Sequence, residues 1–281
     1  GGTSGLMSNV KIRKAISYSI DREEMIDAVY GRYNPAYSYV APAITFNGSS
    51  YRDQVGEIME DEYNEYVGDP DKIVALFQEG LDELGVETPI EDITLTYLTS
   101  GSTTEVQAER EYIQQSLEET LGLTVELSVA GDSSLFIADR NEGNYDFFLG
   151  GWYSDYNDPL DFLYTNYTDA YGMSFGGYSN TDYDALADQL VGETDMDKRL
   201  DIYKQMEQIL LLKDNLPTCM CIPSTVCWTA PAVLTACLTT SKPWGRRPAP
   251  SPITALCTAV WRFLMQPRPQ ASSLSSAVRS M

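Results

Sequence analysis

Ile93-Thr-Leu-Thr-Tyr-Leu98, Leu123-Thr-Val-Glu-Leu-Ser-Val129 and Tyr145-Asp-Phe-Phe-Leu149 are three short runs dominated by β-branched and apolar side chains. Such runs read as strands. Between the first two, Thr103 to Leu121 places Val106, Tyr112, Ile113 and Leu117 inward on a helix that Gly122 stops. Between the second and third, Ser133 to Arg140 reads as a short helix. Strand, helix, strand, helix, strand with short loops predicts parallel βαβ units and an α/β fold. Ligands of such sheets bind beyond the carboxyl ends of the strands, which directs attention to the residues after Leu149.

Working outward, Val10 to Tyr30 repeats apolar residues at helical spacing, with Ser8 or Asn9 as the opening cap and Gly31 as the end. Asp69-Pro70 opens a helix that runs to Leu84 before Gly85. Two more helices are predicted over Asp182 to Val191 and Asp195 to Leu212. Asn34 to Gly48, interrupted by Pro35 and Pro42, reads as extended loop or edge strand. The acidic, tyrosine-rich stretch from Glu57 to Asp71 reads as a solvated surface loop.

The 281 residues carry 41 acidic and 19 basic side chains, a net charge of −22. That surplus argues against nucleic acid, whose phosphates need Lys and Arg, and against a polybasic grip on anionic lipid. Histidine is absent. Its absence removes imidazole bases, His-activated nucleophiles and the commonest zinc ligand together. No metal or other cofactor is expected.

The composition also breaks. Every Asp and Glu lies at or before Asp214 and every Tyr at or before Tyr203, while Cys219, Cys221, Cys227, Cys237 and Cys257 all follow. The charged side chains of residues 217–281 are Lys242, Arg246, Arg247, Arg262, Arg268 and Arg279. The cysteines contain no Cys-x-x-Cys pair and have no His to complete a zinc site. The expectation is a folded α/β domain over residues 1–216 and an irregular, unfolded tail over 217–281, of the kind a shifted reading frame produces. No charged segment followed by an apolar one opens the chain. Apolar runs such as Ile253 to Val260 fall short of the roughly 20 residues needed to span a bilayer.

After the third strand stands Gly150-Gly151-Trp152-Tyr153-Ser154-Asp155-Tyr156-Asn157-Asp158-Pro159-Leu160-Asp161-Phe162. The glycines allow close backbone approach, Trp152, Tyr153 and Tyr156 supply rigid aromatic surface, and Asp155, Asp158 and Asp161 supply charge. A carboxylate in an aromatic-lined cleft suits an ammonium group, through a charge-assisted hydrogen bond and the attraction of ring faces for cations. Three other readings compete. Asp158-Pro159 is a helix start; Asp155 with Asp158 or Asp161 makes a glycosidase-like carboxylate pair; Asp155, Asn157, Asp158 and Asp161 offer oxygen ligands to calcium, without an EF-hand's Gly and Glu.

Gly151 to Pro159 resembles the Trp-x-x-Asp-x-x-Asp-Pro segment of the oligopeptide- and dipeptide-binding proteins of bacterial ABC importers. Three further stretches resemble the same family in the same order. They are Lys11 to Arg22 (Arg-x-Ala-Ile-x-x-Ala-Ile-Asp-Arg), Tyr178 to Leu186 (Tyr-x-Asn-x-x-Tyr-Asp-x-Leu), and Arg199-Leu-Asp-Ile-Tyr203 through Glu207-Gln-Ile-Leu210. The resemblance covers roughly residues 9 to 216. It implies the second lobe of a two-lobed, periplasmic-binding-protein-like fold that closes on an extended peptide and delivers it to membrane permease subunits. It also implies an extracytoplasmic, monomeric protein without catalysis, in the periplasm or lipid-anchored at the outer face of the cell membrane. By the same resemblance Asp155 binds the peptide α-ammonium, Gly151, Trp152 and Tyr153 pair with its main chain, and Asp158 is a helix cap. Tyr156 and Asn157 complete the candidate set. The first-lobe sequence and signal peptide of the family are missing, and the match stops near Leu216-Pro217. Alternatives are an acidic α/β hydrolase with paired carboxylates, or a receptor for a sugar, a nickel chelate or haem.

Overall fold

Asn9 opens helix α1 (Val10–Tyr18), its Oδ1 accepting from the Lys11 and Ile12 amides at 2.8 and 3.3 Å. The computed structural model describes residues 2–31, 33–150, 154–168, 178–215, 221–223 and 233–236. These fall within the unit Gly1–Thr240; Ser241–Met281 lies outside the described residues. The single helix expected over 10–30 is broken. Asp21 adopts extended geometry, with ψ 110°, and its carboxylate accepts from the Glu24 amide at 3.0 Å. It therefore caps a new helix, α2 (Arg22–Met25), which continues as a π-helical turn, Ile26–Tyr30, ended by Gly31 at φ 62°. Periodicity alone hides such a break, because the apolar spacing carries on across it.

A short strand, β1 (Tyr33–Pro35), follows, and then a hairpin of β2 (Thr45–Phe46) and β3 (Ser49–Ser50). Its turn residues Asn47 and Gly48 have φ of 50° and 84°, the positive values a two-residue primed turn requires. Helix α3 (Tyr51–Val55) comes next. The segment from Glu57 to Asp71 is not the solvated loop expected: it contains α4 (Glu60–Tyr66), and Tyr63 is buried. The Tyr63 hydroxyl donates to the Ile20 carbonyl at 3.1 Å and accepts from the Arg22 amide at 3.0 Å. Its ring lies 4.7 Å from the Arg22 guanidinium carbon. Buried tyrosines that satisfy both their apolar ring and their hydroxyl belong to a core, whatever the charge of their neighbours.

Asp69 and Pro70 start α5 (Pro70–Leu84) as expected, and Gly85 ends it at φ 68°. Helix α5 packs on α1 through Gly80. A methyl group there would meet Ile12 Cγ1 at 2.6 Å, Asn9 Oδ1 at 2.9 Å and the Ile12 amide nitrogen at 3.1 Å. Two effects oppose in Gly80→Ala. Helix propensity favours alanine by about 1 kcal/mol; overpacking against a backbone atom costs about 1–3 kcal/mol. Because the contacts reach 2.6 Å and include backbone, the overpacking cost lies at its upper end, about 2–3 kcal/mol, and the expected outcome is a net loss of about 1–2 kcal/mol in urea unfolding. A variant as stable as the parent would mean that the two helices separate freely.

The sheet is formed by β4 (Thr94–Ser100), β5 (Thr124–Ala130), β6 (Phe147–Gly150) and β8 (Val233–Ala236), in the spatial order β5-β4-β6-β8. Helices α6 (Thr104–Leu121) and α7 (Ser133–Glu142) make the crossovers. Thr94 pairs with Thr124 through to Ser100 with Ala130, and Tyr97 with Phe147, all in parallel register. Ile113 and Leu117 of α6 are buried as expected, whereas Val106 and Tyr112 are half-buried. Leu95, Tyr97 and Phe147 join the main core; Leu98, Phe148 and Tyr145 form a smaller cluster with Phe136. Just before β6, the buried Asp146 accepts from the Ser4 amide and hydroxyl at 2.8 and 2.7 Å and from the Thr96 amide at 2.8 Å. One carboxylate thus ties residues near the chain start to the sheet.

Beyond the sheet lie α8 (Leu160–Leu163), α9 (Thr181–Gln189) and α10 (Met196–Gln208), the last continued by the π-helical turn Ile209–Lys213. The sequence predicts no element after residue 216, but two short strands occur there. Strand β7 (Cys221–Pro223) pairs antiparallel with β1, and β8 pairs antiparallel with β6, Phe147 opposite Ala236 and Gly150 opposite Val233. Val233-Leu-Thr-Ala236 is itself an apolar, β-branched run able to cover the open edge of β6. The change in overall composition obscures it.

Candidate functional site

Strand β6 ends at Gly150, and the candidate loop follows. Gly151, Trp152 and Tyr153 lie outside the described residues. From Ser154 the chain folds back on itself. The Ser154 hydroxyl donates to the Tyr156 carbonyl at 2.6 Å, and the Asp158 amide donates to the same oxygen at 3.1 Å. The Asp155 amide donates to Oδ2 of the buried Asp161 at 3.0 Å. The side chain of Asp155 is exposed and, among the described residues, its carboxylate accepts no hydrogen bond. Tyr156 beside it is 51% exposed.

The neighbouring carboxylates are occupied. Asp158 Oδ1 accepts from the Leu160 amide at 2.9 Å, but the cap position of α8 is Pro159, so Asp158 stands one residue ahead of the cap expected of it. The same oxygen accepts from the Tyr203 hydroxyl at 2.9 Å. Burial first, and then the Asp158 carboxylate, push the Tyr203 phenol upward, so it stays a protonated donor. The Arg199 guanidinium donates to the Tyr203 oxygen at 2.6 Å. Asn157 bonds Thr45 twice: its Oδ1 accepts from the Thr45 amide at 2.9 Å and its Nδ2 donates to the Thr45 hydroxyl at 2.6 Å. The loop is thereby clasped to the β2–β3 hairpin.

The helix α10 places Arg199, Tyr203 and Glu207 four residues apart, on one face. Glu207, fully buried, accepts from the Tyr39 and Val40 amides at 2.9 and 2.8 Å, from the Tyr51 hydroxyl at 2.9 Å and from Arg52 Nη2 at 2.9 Å. Arg52 donates in turn to the Val40 and Gly56 carbonyls at 2.9 and 2.8 Å. The rings of Phe46 and Tyr51 meet Tyr203 edge-on, at centroid distances of 5.4 and 6.4 Å. One helix face therefore carries both the loop and the segment that holds the hairpin.

Oδ1 of Asp158 and Oδ2 of Asp161 are already engaged in holding the loop. Among the described residues no group of three or more His, Cys, Asp or Glu is placed to hold a metal ion. No described helix is long and apolar enough to cross a membrane. Thr45, Arg199 and Tyr203 were absent from the candidates drawn from the sequence. The four-residue spacing of Arg199 and Tyr203 was a visible signal; nothing local to Thr45 announces Asn157, which lies 112 residues away.

Residues 3–174 match the model of the bacterial extracellular solute-binding proteins, family 5, middle part. The chain belongs to this family. Among its family 5 relatives, the dipeptide-binding protein DppE of Bacillus subtilis is 30% identical over 205 residues, 72% of this chain and 35% of that protein. The oligopeptide-binding protein OppA of the same organism is 29% identical over 216 residues, 75% of this chain and 36% of that protein. The chain spans about a third of the length of these relatives. The solved structure of Listeria monocytogenes OppA bound to peptide superposes with a TM-score of 0.64 at 30% identity, covering 82% of this chain and 41% of that one. This family 5 chain shares the α/β fold of those peptide-binding proteins, as the four sequence stretches imply.

Proposed function

We propose that this chain is the ligand-gripping lobe of the substrate-binding component of an ABC importer, which captures peptides in an interlobe cleft and delivers them to membrane permease subunits. The observation that carries the reading is the exposed Asp155 carboxylate, presented on a hydrogen-bonded loop beyond the carboxyl end of β6. An exposed carboxylate on a pre-set loop matches a peptide ammonium. Gly151, Trp152 and Tyr153 are proposed to meet the peptide main chain, a mode that gives affinity without reading side chains. Tyr156 supplies aromatic surface beside the ammonium, while the amide of Asn157 serves the clasp to Thr45. The protein acts as a monomeric, extracytoplasmic receptor without a chemical step, in the periplasm or tethered by lipid to the outer face of the membrane. Residues 1–216 supply the lobe; the two strands beyond them complete its sheets.

The test is calorimetric. In a protein carrying both lobes, Asp155→Asn is expected to weaken binding of tri-alanine by about 1.5–3 kcal/mol, the range for a hydrogen bond to a charged group. N-acetylated tri-alanine, which has no ammonium, should bind parent and variant alike. Equal tri-alanine affinity in the two proteins would remove Asp155 from the site.

A further inference from the structure

We propose that Arg199, Tyr203 and Asp158 form a positioning relay that, with the Asn157–Thr45 clasp, holds the Asp155 loop in its ligand-ready shape before any ligand arrives. The purpose assigned to the loop rests on the function proposed above; the relay itself does not. Three observations converge on it. The guanidinium of Arg199 donates to the Tyr203 oxygen at 2.6 Å, and that hydroxyl donates to Asp158 at 2.9 Å. Arg199 is itself fixed from the other side, donating to the Leu190 and Glu193 carbonyls at 3.3 and 3.2 Å. Asp158 passes the constraint on by accepting the Leu160 amide, while the Asp161 amide donates to the Asp158 carbonyl at 3.1 Å and the Asp161 side chain holds the Asp155 amide. The path from α10 to Asp155 is continuous in hydrogen bonds, and each donor has an identified acceptor.

The geometry also explains why a hydroxyl is needed at 203. A phenylalanine ring would keep the edge contacts to Phe46 and Tyr51, so the core would lose little. It would leave Arg199 and Asp158 without the oxygen that links them. A loop left to order itself upon binding loses affinity to that ordering, whereas a pre-set loop does not.

The measurement is amide hydrogen exchange by NMR on the ligand-free chain, read at Asp155, Leu160 and Asp161 against the amides of α5 as an internal reference. Tyr203→Phe is expected to speed exchange at the three loop amides by roughly tenfold or more, the factor that loss of a hydrogen bond to a charged group implies. The α5 amides should keep their parental rates, which a general loss of stability would not allow. Asp158→Asn, which retains an acceptor for Leu160 and Tyr203, should preserve most of the loop protection that Asp158→Ala abolishes. Parental exchange at the three amides in Tyr203→Phe overturns the relay, as does equal acceleration throughout α5. Neither result involves a peptide. Failure of Asp155→Asn to alter tri-alanine binding would sink the ligand reading while leaving a loosened loop as support for the relay.

Discussion

Glu207→Ala is expected to destabilise the fold by about 3–5 kcal/mol, the range for removing one partner of a buried ion pair. Glu207 has no exposed surface and Arg52 retains 9% of its side-chain exposure, so water cannot replace the lost carboxylate. The truncation leaves Arg52 with only the half-exposed Glu57 carboxylate, 3.9 Å from its Nε, and orphans the Tyr39 and Val40 amides and the Tyr51 hydroxyl. Glu207→Gln separates charge from geometry, because it keeps one carbonyl acceptor for the two amides while dropping the ion pair. Urea unfolding of the three proteins is the measurement. A loss under about 1 kcal/mol for the alanine variant, typical of an exposed pair, would show that the network is wet and loosely held.

Glu109 gives the second large effect, and its sign is opposite. The residue is buried on α6 and accepts a hydrogen bond from the Tyr30 hydroxyl. Burial pushes its carboxyl up from 4.5 to about 7; the Tyr30 hydrogen bond opposes the shift and the Glu105 charge adds to it. The folded state therefore holds this proton more tightly than the unfolded chain does. Below about pH 4.5 both states are protonated and no penalty exists. As pH rises toward about 7 the unfolded chain releases the proton first, so stability falls, and it levels off above that value. Glu109→Gln keeps an acceptor for Tyr30 and has no charge to bury. At pH 8 it is expected to be more stable than the parent by about 2–4 kcal/mol, with the gap closing near pH 4. A gap that is the same at both pH values would show that Glu109 is ionised without penalty.

Much of the fold was legible because local rules and tertiary packing agree. Asn9, Asp69 and Thr103 stand as caps where apolar periodicity begins, and Gly31, Gly85 and Gly122 end their helices in the left-handed region. The three strand runs pair in parallel, as the intervening helices require. What stayed hidden depends on distant partners. Nothing near Tyr63 shows that Arg22 and Ile20 wait to receive it, so an acidic helix with a core tyrosine reads as a loop. Asp21 breaks a helix whose apolar spacing is unbroken. At the candidate loop the residue types were readable but not their engagements: Asp155 is exposed, Asp158 and Asp161 are structural acceptors, and Asn157 is held by a threonine 112 residues earlier.

Arg13 of α1 reaches across nearly the whole described chain. Its Nε donates to the Asp214 carbonyl at 2.9 Å over a separation of 201 residues, and its Nη1 donates to the Met7 carbonyl at 2.8 Å. During synthesis at roughly 5–20 residues per second, the acceptor at Asp214 is made roughly 10–40 s after the arginine that needs it. Through that interval α1 has its guanidinium in place but lacks the far half of its socket. The Arg13 socket is complete only once the turn Ile209–Lys213 and the Asp214 that follows it have been made.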